Sequence, residues 1–268
     1  MSIRKLRNKF GQLMLIAQLT DTHITVPENE IGDCYVKLEA LRNCVSAINK
    51  LNPAPDVIIH TGDLVHNGSD EEYRLTKSIM DELRAPYFIT PGNRDSVTAL
   101  IKNFSLQSYQ NAETAFFQYA TNVFGYRLVA SDTSTENNNL GFLDFKRLAH
   151  LDNLLNEQPE RSTVIFMHHP PINLSSSEPL KHEYDSYRMV KNFSEIIDRN
   201  PQVVAILCGH IHRSFTGWIN ATPLVAVPPL SRVLNRDPDS YSSTPNTAFY
   251  LHAFSTTAPV NTEVIVVH

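Results

Sequence analysis

Cysteine is scarce in this chain, and an excess of positive charge is absent. The 268 residues include only Cys34, Cys44 and Cys208, an odd number without CxxC spacing. We therefore expect reduced thiols in a cytoplasmic protein rather than a disulfide framework, with Cys208 serving as a small buried apolar residue. The formal net charge of −5 argues against nucleic acid or an anionic membrane as a partner.

Long apolar runs are also missing. No stretch approaches the roughly 20 residues that a membrane-spanning helix needs. Basic residues between positions 4 and 9 precede the apolar run 13–19, which is too short for a secretory signal and leads straight into the sequence TDTH. We predict a buried strand there, a flexible extension over 1–12, and Met14 as an alternative start.

Strand-like apolar runs alternate with helical patterns along most of the chain. The predicted strands are 13–21, 56–63, 86–93, 126–132, 162–169 and 203–210, and the predicted helices are 34–51, 70–84, 142–156 and 186–199. This alternation predicts an α/β fold with layered mixed sheets, in a single domain that spans residues 1–268.

The composition changes after residue 217. A strand-rich tail, 217–268, is expected to pack on the core with successive antiparallel strands in PLVAVPPL (223–230), NTAFYLHAF (246–254) and TEVIVVH (262–268). The stretches 173–186 and 233–246 are polar and are predicted to be rim loops or lids.

Five predicted strands end in side chains that bind metals. These side chains are Asp21, His23, Asp63, Asn93, His168, His210 and His212. Ligands of open α/β sheets gather beyond the carboxyl ends of strands, and residues two apart in an extended strand point to one side, so we expect the seven to converge. Imidazole, carboxylate and amide ligands suit zinc, manganese or iron. Seven are too many for one tetrahedral ion and suit two ions that share a carboxylate.

Five short motifs carry a family resemblance. They are DTH (21–23), GD (62–63), GN (92–93), HHP (168–170) and GHIH (209–212). Their order and spacing resemble the calcineurin-like metallophosphoesterases over about residues 14–215, in particular bacterial class III cyclic nucleotide phosphodiesterases and glycerophosphodiesterases. The resemblance implies a layered α/β/β/α fold, two divalent ions (manganese, iron or zinc) and hydrolysis of a small phosphodiester by a metal-bound hydroxide. It also implies a homodimer.

The resemblance assigns each ligand. One metal takes Asp21, His23 and His212, the other takes Asn93, His168 and His210, and Asp63 bridges the two. The sequence departs from the family at Arg94, where the family has histidine. Arginine cannot donate a proton at useful pH, so we predict that it acts as a phosphate clamp. A phosphomonoesterase and a non-catalytic metal-binding scaffold stay open as alternatives.

Other polar residues near the motifs have simpler roles. His169 adjoins a predicted ligand and is expected to support the site or the fold, while His66 is a solvated loop residue or a rim residue. Asp95 either fixes Arg94 or a ligand, or caps a helix. The remaining histidines are expected to be structural: His60, His150, His182, His252 and His268.

Overall fold

The structure is a computed structural model that describes residues 13–26, 31–106, 109, 116–135, 138–172, 183–230, 247–255 and 258–267. Its helices are α1 (Ile31–Lys50), α2 (Asp70–Met80), α3 (Val97–Asn103), α4 (Phe145–Asn156) and α5 (Tyr187–Arg199). Its strands are β1 (Met14–Leu19), β2 (Val57–His60), β3 (Tyr87–Ile89), β4 (Tyr119–Val123), β5 (Tyr126–Ser131), β6 (Thr163–Met167), β7 (Val203–Cys208), β8 (Phe215–Ile219), β9 (Thr222–Ala226), β10 (Thr247–Ser255) and β11 (Ala258–Val267).

The strands form two mixed sheets. The first has the order β11-β10-β1-β2-β3, in which β1, β2 and β3 are parallel and the β10–β11 hairpin joins β1 antiparallel. The second has the order β4-β5-β6-β7-β9-β8, with four parallel central strands and an antiparallel strand at each edge. The predicted mixed α/β class is confirmed.

Alternate residues of the second sheet divide the core into two layers. Leu128 and Val164 pack in the cluster that also holds Ile16 of β1 and the inner face of α1. Their neighbours Val129 and Ile165 pack in a second cluster with α4 and α5. Because successive strand residues point to opposite faces, both faces of this sheet are buried. The result is the predicted α/β/β/α layering.

Side-chain caps fix where the helices begin. Ser69 accepts a hydrogen bond from the backbone N–H of Glu72, and the Glu72 carboxylate accepts one from the Ser69 N–H, which is a capping box at the start of α2. Asp144 and Ser186 cap α4 and α5 with a single hydrogen bond each, from a backbone N–H to the side-chain oxygen. The predicted helix over 70–84 is four residues too long, because α2 ends at Met80.

Three short elements escaped prediction: α3, β4 and β8. The β4–β5 hairpin turns through Phe124 and Gly125, whose φ angles of 48° and 86° are typical of a tight type I′ turn. The tail prediction was wrong in one respect. β9 lies between β7 and β8 and runs parallel to β7, whereas β10 and β11 are antiparallel to each other as expected.

Three segments were predicted to be a flexible extension or rim loops. Residues 1–12, 173–182 and 233–246 lie outside the described residues, so the predicted extension, most of the first rim loop and all of the second stay predictions. The end of the first loop is described, and there Tyr184 is 2% exposed and forms a β-bridge with Gly141.

All three cysteines are buried and free. Among the helices described, none has the length and apolar content to cross a membrane.

Candidate metal centre

The predicted ligands lie just beyond their strands, and five of the seven have left-handed backbone. β1 ends at Leu19, yet Asp21 and His23 follow with φ angles of 50° and 43°. Asp63, His210 and His212 have φ angles of 53°, 70° and 53°. The expectation that Asp-x-His and His-x-His pairs share an extended strand face was therefore wrong. Such backbone is costly for residues with a Cβ and is concentrated at functional sites.

Motif glycines allow the loops to approach each other closely. A Cβ on Gly92 would overlap the carboxylate of Asp63, and one on Gly209 would overlap the Thr20 hydroxyl. A Cβ on Gly62 would lie 2.7 Å from Nδ1 of His168. The glycine in each of the GD, GN and GH motifs is thus required by a ligand from another strand end.

The first cluster of donor atoms joins Asp21, His23, His212 and Asp63. The two Nε2 atoms of His23 and His212 are 3.2 Å apart, and Oδ1 of Asp21 lies 3.7 Å and 3.2 Å from them. Oδ2 of Asp63 lies 3.4 Å from Nε2 of His23. Oδ1 of Asp21 is buried and accepts no hydrogen bond from any described residue.

The second cluster joins Asn93, His168 and His210. Oδ1 of Asn93 lies 3.1 Å from Nε2 of His168 and 3.1 Å from Nδ1 of His210, and these two nitrogens are 3.3 Å apart. Nδ1 of His168 lies 2.7 Å from the Thr61 carbonyl, and Nε2 of His210 lies 2.9 Å from Oε2 of Glu183. These outer contacts make each imidazole a donor on its far side, so its lone pair faces the cluster.

Asp63 belongs to both clusters. Its Oδ2 is 3.4 Å from Nε2 of His23 and 3.5 Å from Nε2 of His168. Its other oxygen accepts the backbone N–H of Arg94 at 2.7 Å. A single oxygen atom therefore faces ligands from both clusters, while the second oxygen holds the carboxylate in place.

The carboxylates and imidazoles perturb one another. Burial alone would raise the pKa of Asp21, but contacts with His212 and His23 outweigh it and hold that pKa well below its usual range. Burial opposes charge on His168 as well, yet the charge and contact of Asp63 raise the pKa of His168 to about 9. The carboxylate of Asp63 thus favours positive charge beside His168.

The donor set fits a pair of divalent cations. Ligand atoms about 2.1 Å from a tetrahedral ion lie about 3.4 Å apart, close to the spacing in both clusters. With neutral imidazoles, three acceptors meet in the second cluster, and only a proton or a cation between them makes that arrangement favourable. In the first cluster, Oδ1 of Asp21 is buried, accepts no hydrogen bond from a described residue and lies 3.2 Å from Nε2 of His212, which supports the same conclusion.

Asp95 connects the loops that carry Asp63 and Asn93. Its carboxylate accepts the backbone N–H groups of Gly92, Leu64 and Val65, at 2.9, 3.2 and 3.4 Å, and the hydroxyl of Tyr73 at 3.0 Å. Burial and the charge of Asp63 raise the pKa of Asp95 to about 6. It supports the site through backbone contacts rather than by fixing the Arg94 side chain.

His169 lies beside the second cluster, where it forms with His168 and His210 a group of imidazoles that could hold a cation, and its ring centroid is 4.2 Å from that of His210. Both nitrogens of His169 are engaged, Nδ1 with Thr133 at 2.8 Å and Nε2 with the carbonyl of Asn139 at 3.2 Å, which matches a supporting role. The His66 ring lies edge-on to His23, with 5.7 Å between centroids. The three described histidines expected to be structural each contact a polar neighbour: His60, His150 and His252. His182 and His268 lie outside the described residues.

A cavity of about 440 Å³ opens onto both clusters. Its rim is formed by Arg94, Asn139, Leu140, Glu183, Ile211 and Arg213. Sequence reasoning identified only Arg94 among these. Arg213 follows the GHIH motif directly and could have been found from that position, whereas Asn139 and Glu183 come from segments without a motif. Nδ2 of Asn93 donates to Oδ1 of Asn139 at 3.2 Å, which turns the Asn93 carbonyl toward the histidines.

Known proteins are similar to this chain in sequence or in fold. A probable glycerophosphodiester phosphodiesterase GpdQ from Arcobacter nitrofigilis is 32% identical over 224 residues, which are 82% of this chain and 80% of that protein. The 3′,5′-cyclic adenosine monophosphate phosphodiesterase CpdA of Escherichia coli is 28% identical, covering 80% of this chain and 74% of its own length. A dimetal phosphatase structure from Danio rerio has a TM-score of 0.69 at 13% identity, covering 93% of this chain and 98% of that chain, and shows the fold alone.

The family model for calcineurin-like phosphoesterases matches residues 14–214, three quarters of the chain and all five motifs. The match includes both clusters and the strands that carry them. This chain belongs to the calcineurin-like phosphoesterase family.

Proposed function

We propose that this protein hydrolyses small phosphodiesters with two divalent cations. The observation that carries the proposal is the position of Oδ2 of Asp63, which lies 3.4 Å and 3.5 Å from imidazole nitrogens of the two clusters. An oxygen shared in this way is the bridge that a pair of metal ions requires.

The ligand sets divide between the two clusters. Asp21, His23 and His212 would hold one cation, Asn93, His168 and His210 would hold the other, and Asp63 would contact both. Manganese, iron and zinc all accept such mixed oxygen and nitrogen donors. When bound, the cations would polarise phosphoryl oxygens and lower the pKa of a coordinated water to about 7.

The protein's own groups preorganise this site. The backbone N–H of Arg94 fixes Asp63, the backbone N–H of His210 donates to Oδ2 of Asp21 at 3.0 Å, and Asn139 orients Asn93. The ligand positions are therefore set by contacts that do not depend on substrate. Such preorganisation is what stabilises developing charge in a transition state.

Two arginines at the cavity rim favour an anionic substrate. Arg94 and Arg213 are exposed beside the clusters, and a planar guanidinium can bind two phosphate oxygens at once. Arg94 would act as a phosphate clamp and would not protonate the leaving group. Glycerophosphodiesters and cyclic nucleotides are the substrate classes named for the relatives and are the first candidates here.

The test compares a diester with a monoester. Purified protein loaded with Mn²⁺, Fe²⁺ or Zn²⁺ is assayed with bis(p-nitrophenyl) phosphate and with p-nitrophenyl phosphate. The proposal predicts a higher kcat/KM for the diester. Higher activity on the monoester would identify the protein as a phosphomonoesterase. No activity on either ester, despite bound metal, would identify it as a non-catalytic scaffold. Either result overturns the proposal.

The homodimer and the cytoplasmic location remain proposals as well. Sedimentation of the full chain tests the first. Fractionation of source cells tests the second.

A further inference from the structure

Glu183 contacts a predicted ligand from outside the clusters. Its Oε2 lies 2.9 Å from Nε2 of His210, while Nδ1 of the same ring faces Asn93 and His168. The side chains of His210 and Glu183 are 15% and 22% exposed. The contact is therefore partly shielded from water, where a charge-assisted hydrogen bond is stronger than at an open surface.

The backbone around Glu183 is held firmly. Its carbonyl accepts the N–H of Gly141 at 2.7 Å, and the Asp185 N–H donates to the Gly141 carbonyl at 3.3 Å. Between them, Tyr184 is buried and its hydroxyl donates to the His169 carbonyl at 2.8 Å. A Cβ on Gly141 would lie 2.8 Å from atoms of both His169 and Tyr184, so the two segments fit closely. The segment is thus rigid enough to aim a carboxylate.

We infer that Glu183 is a positioning residue that orients His210 toward one of the two cations. This inference rests on the proposed function, because it assumes that His210 is a ligand. A carboxylate on Nε2 fixes the proton there, keeps the lone pair on Nδ1, and makes that nitrogen a better donor to a cation.

The arrangement distinguishes the two clusters. Described outer partners of the second cluster are the Thr61 carbonyl on His168, the Asn139 amide on Asn93 and the Glu183 carboxylate on His210. Of these three groups, only the Glu183 carboxylate can carry a charge. Glu183 should therefore affect the cation at the second cluster much more than the cation at Asp21, His23 and His212.

The experiment titrates metal-free full-length protein with Mn²⁺ by calorimetry. Wild type is compared with Glu183→Ala, Glu183→Gln and, as a control, Glu195→Ala, which removes a carboxylate from an exposed site on α5. Loss of an outer partner typically weakens metal binding 10–100-fold. We expect Glu183→Ala to weaken one of two sites by about that factor. Glu183→Gln keeps a hydrogen-bond acceptor but loses the charge, so it should weaken that site less than Glu183→Ala does.

Three outcomes contradict the inference. These are unchanged binding in Glu183→Ala, equal loss in Glu183→Ala and Glu183→Gln, and equal weakening of both sites together with a lower midpoint of metal-free thermal unfolding. The last outcome would assign Glu183 a structural role. Failure of the proposed function looks different, because wild type would then bind Mn²⁺ at two sites but would either hydrolyse neither ester or prefer the monoester.

Discussion

Two buried histidines, His168 and His252, have opposite properties. Both are 0% exposed. Burial lowers the pKa of His252 to about 3, whereas at His168 the effect of Asp63 outweighs burial and raises the pKa to about 9. The difference comes from the neighbours, because His252 faces the neutral side chains of Gln18 and Thr262. A buried histidine indicates a cation site only when acceptors surround it.

The two regions also differ in their backbone and in their hydrogen bonding. His252 lies within β10 and bonds Oε1 of Gln18 at 2.9 Å, and Nε2 of Gln18 reaches both Thr61 and the Cys208 carbonyl at 2.9 Å. This network joins the two sheets, and its members Gln18, Cys208 and His252 lie within regular strands. The metal ligands instead lie on loops beyond the strand ends, five of the seven in left-handed backbone. The strand network supports the fold, whereas the loops keep their donor atoms available to a ligand.

The largest expected effect is at the shared oxygen. Asp63→Ala should abolish binding of both cations, because one oxygen faces both clusters. The rate of diester hydrolysis should fall about a thousandfold or more, which is the several kcal/mol that a metal contributes to a transition state. Metal content is measured by mass spectrometry, with Asp152→Ala as the control for removal of a carboxylate that pairs with Arg199. An Asp63→Ala enzyme with both metals and its full rate would refute the bridge.

Substitutions at two glycines distinguish the effect of loop packing from the effect of backbone strain. Gly209→Ala places a Cβ against the Thr20 hydroxyl and 2.6 Å from Oδ2 of Asp21. Overpacking of this kind should lower the free energy of unfolding by about 1–3 kcal/mol, and the shift of Asp21 should weaken Mn²⁺ binding. Gly125→Ala meets no atom within 4 Å but has a φ of +86°. It should cost about 1–2 kcal/mol and leave metal binding unchanged. Equal Mn²⁺ affinity in both variants would contradict this account.

The next prediction concerns the effect of His252 on how the free energy of unfolding depends on pH. The folded protein keeps this imidazole neutral down to a pKa of about 3, while the unfolded chain takes up the proton below 6.5. The contribution of His252 to the free energy of unfolding is therefore fully present above pH 6.5. It is lost as pH falls, and the loss amounts to about 2 kcal/mol at pH 5. Urea unfolding of metal-free wild type and His252→Gln should show their stability difference narrowing by that amount between pH 7.5 and pH 5. A constant difference would mean that His252 takes up its proton without unfolding.

The smallest effect is at the exposed Arg94. Arg94→His should leave metal content unchanged and raise KM for the diester about fivefold, since an exposed charged contact contributes about 1 kcal/mol. It should also reduce the dependence of rate on leaving-group pKa, because histidine can donate a proton. Steady-state kinetics with a series of aryl diesters measures both effects. If the dependence of rate on leaving-group pKa were unaltered, Arg94 would have no role in the reaction.

The alternation of strands and helices was predictable because burial imposes it. Each central strand is a short apolar run, and α4 and α5 carry leucine, isoleucine or phenylalanine at helical spacing. The helix α3 has seven residues and β4 has a polar centre, YATNV, so neither gives a clear pattern. Strand ends were predicted too late because the polar motifs directly follow apolar runs.

The site was predictable in its ligands but not in its supports. The seven donors could be found because their residue types are unusual at strand ends. The left-handed backbone of Asp21 and His23 depends on contacts with the loop after β2, including the bond from the Asp21 N–H to the Gly62 carbonyl at 3.0 Å. Glu183 contacts His210 from a segment that is joined to Gly141 by the bridge at Tyr184. Such supports depend on tertiary structure and have no local pattern.

The most direct test is anomalous diffraction from crystals of the Mn²⁺-loaded protein. The account predicts two peaks about 3.5–4 Å apart, one among Asp21, His23 and His212, the other among Asn93, His168 and His210, with Oδ2 of Asp63 between them. A single peak, or two peaks that do not share Asp63, would contradict the central claim.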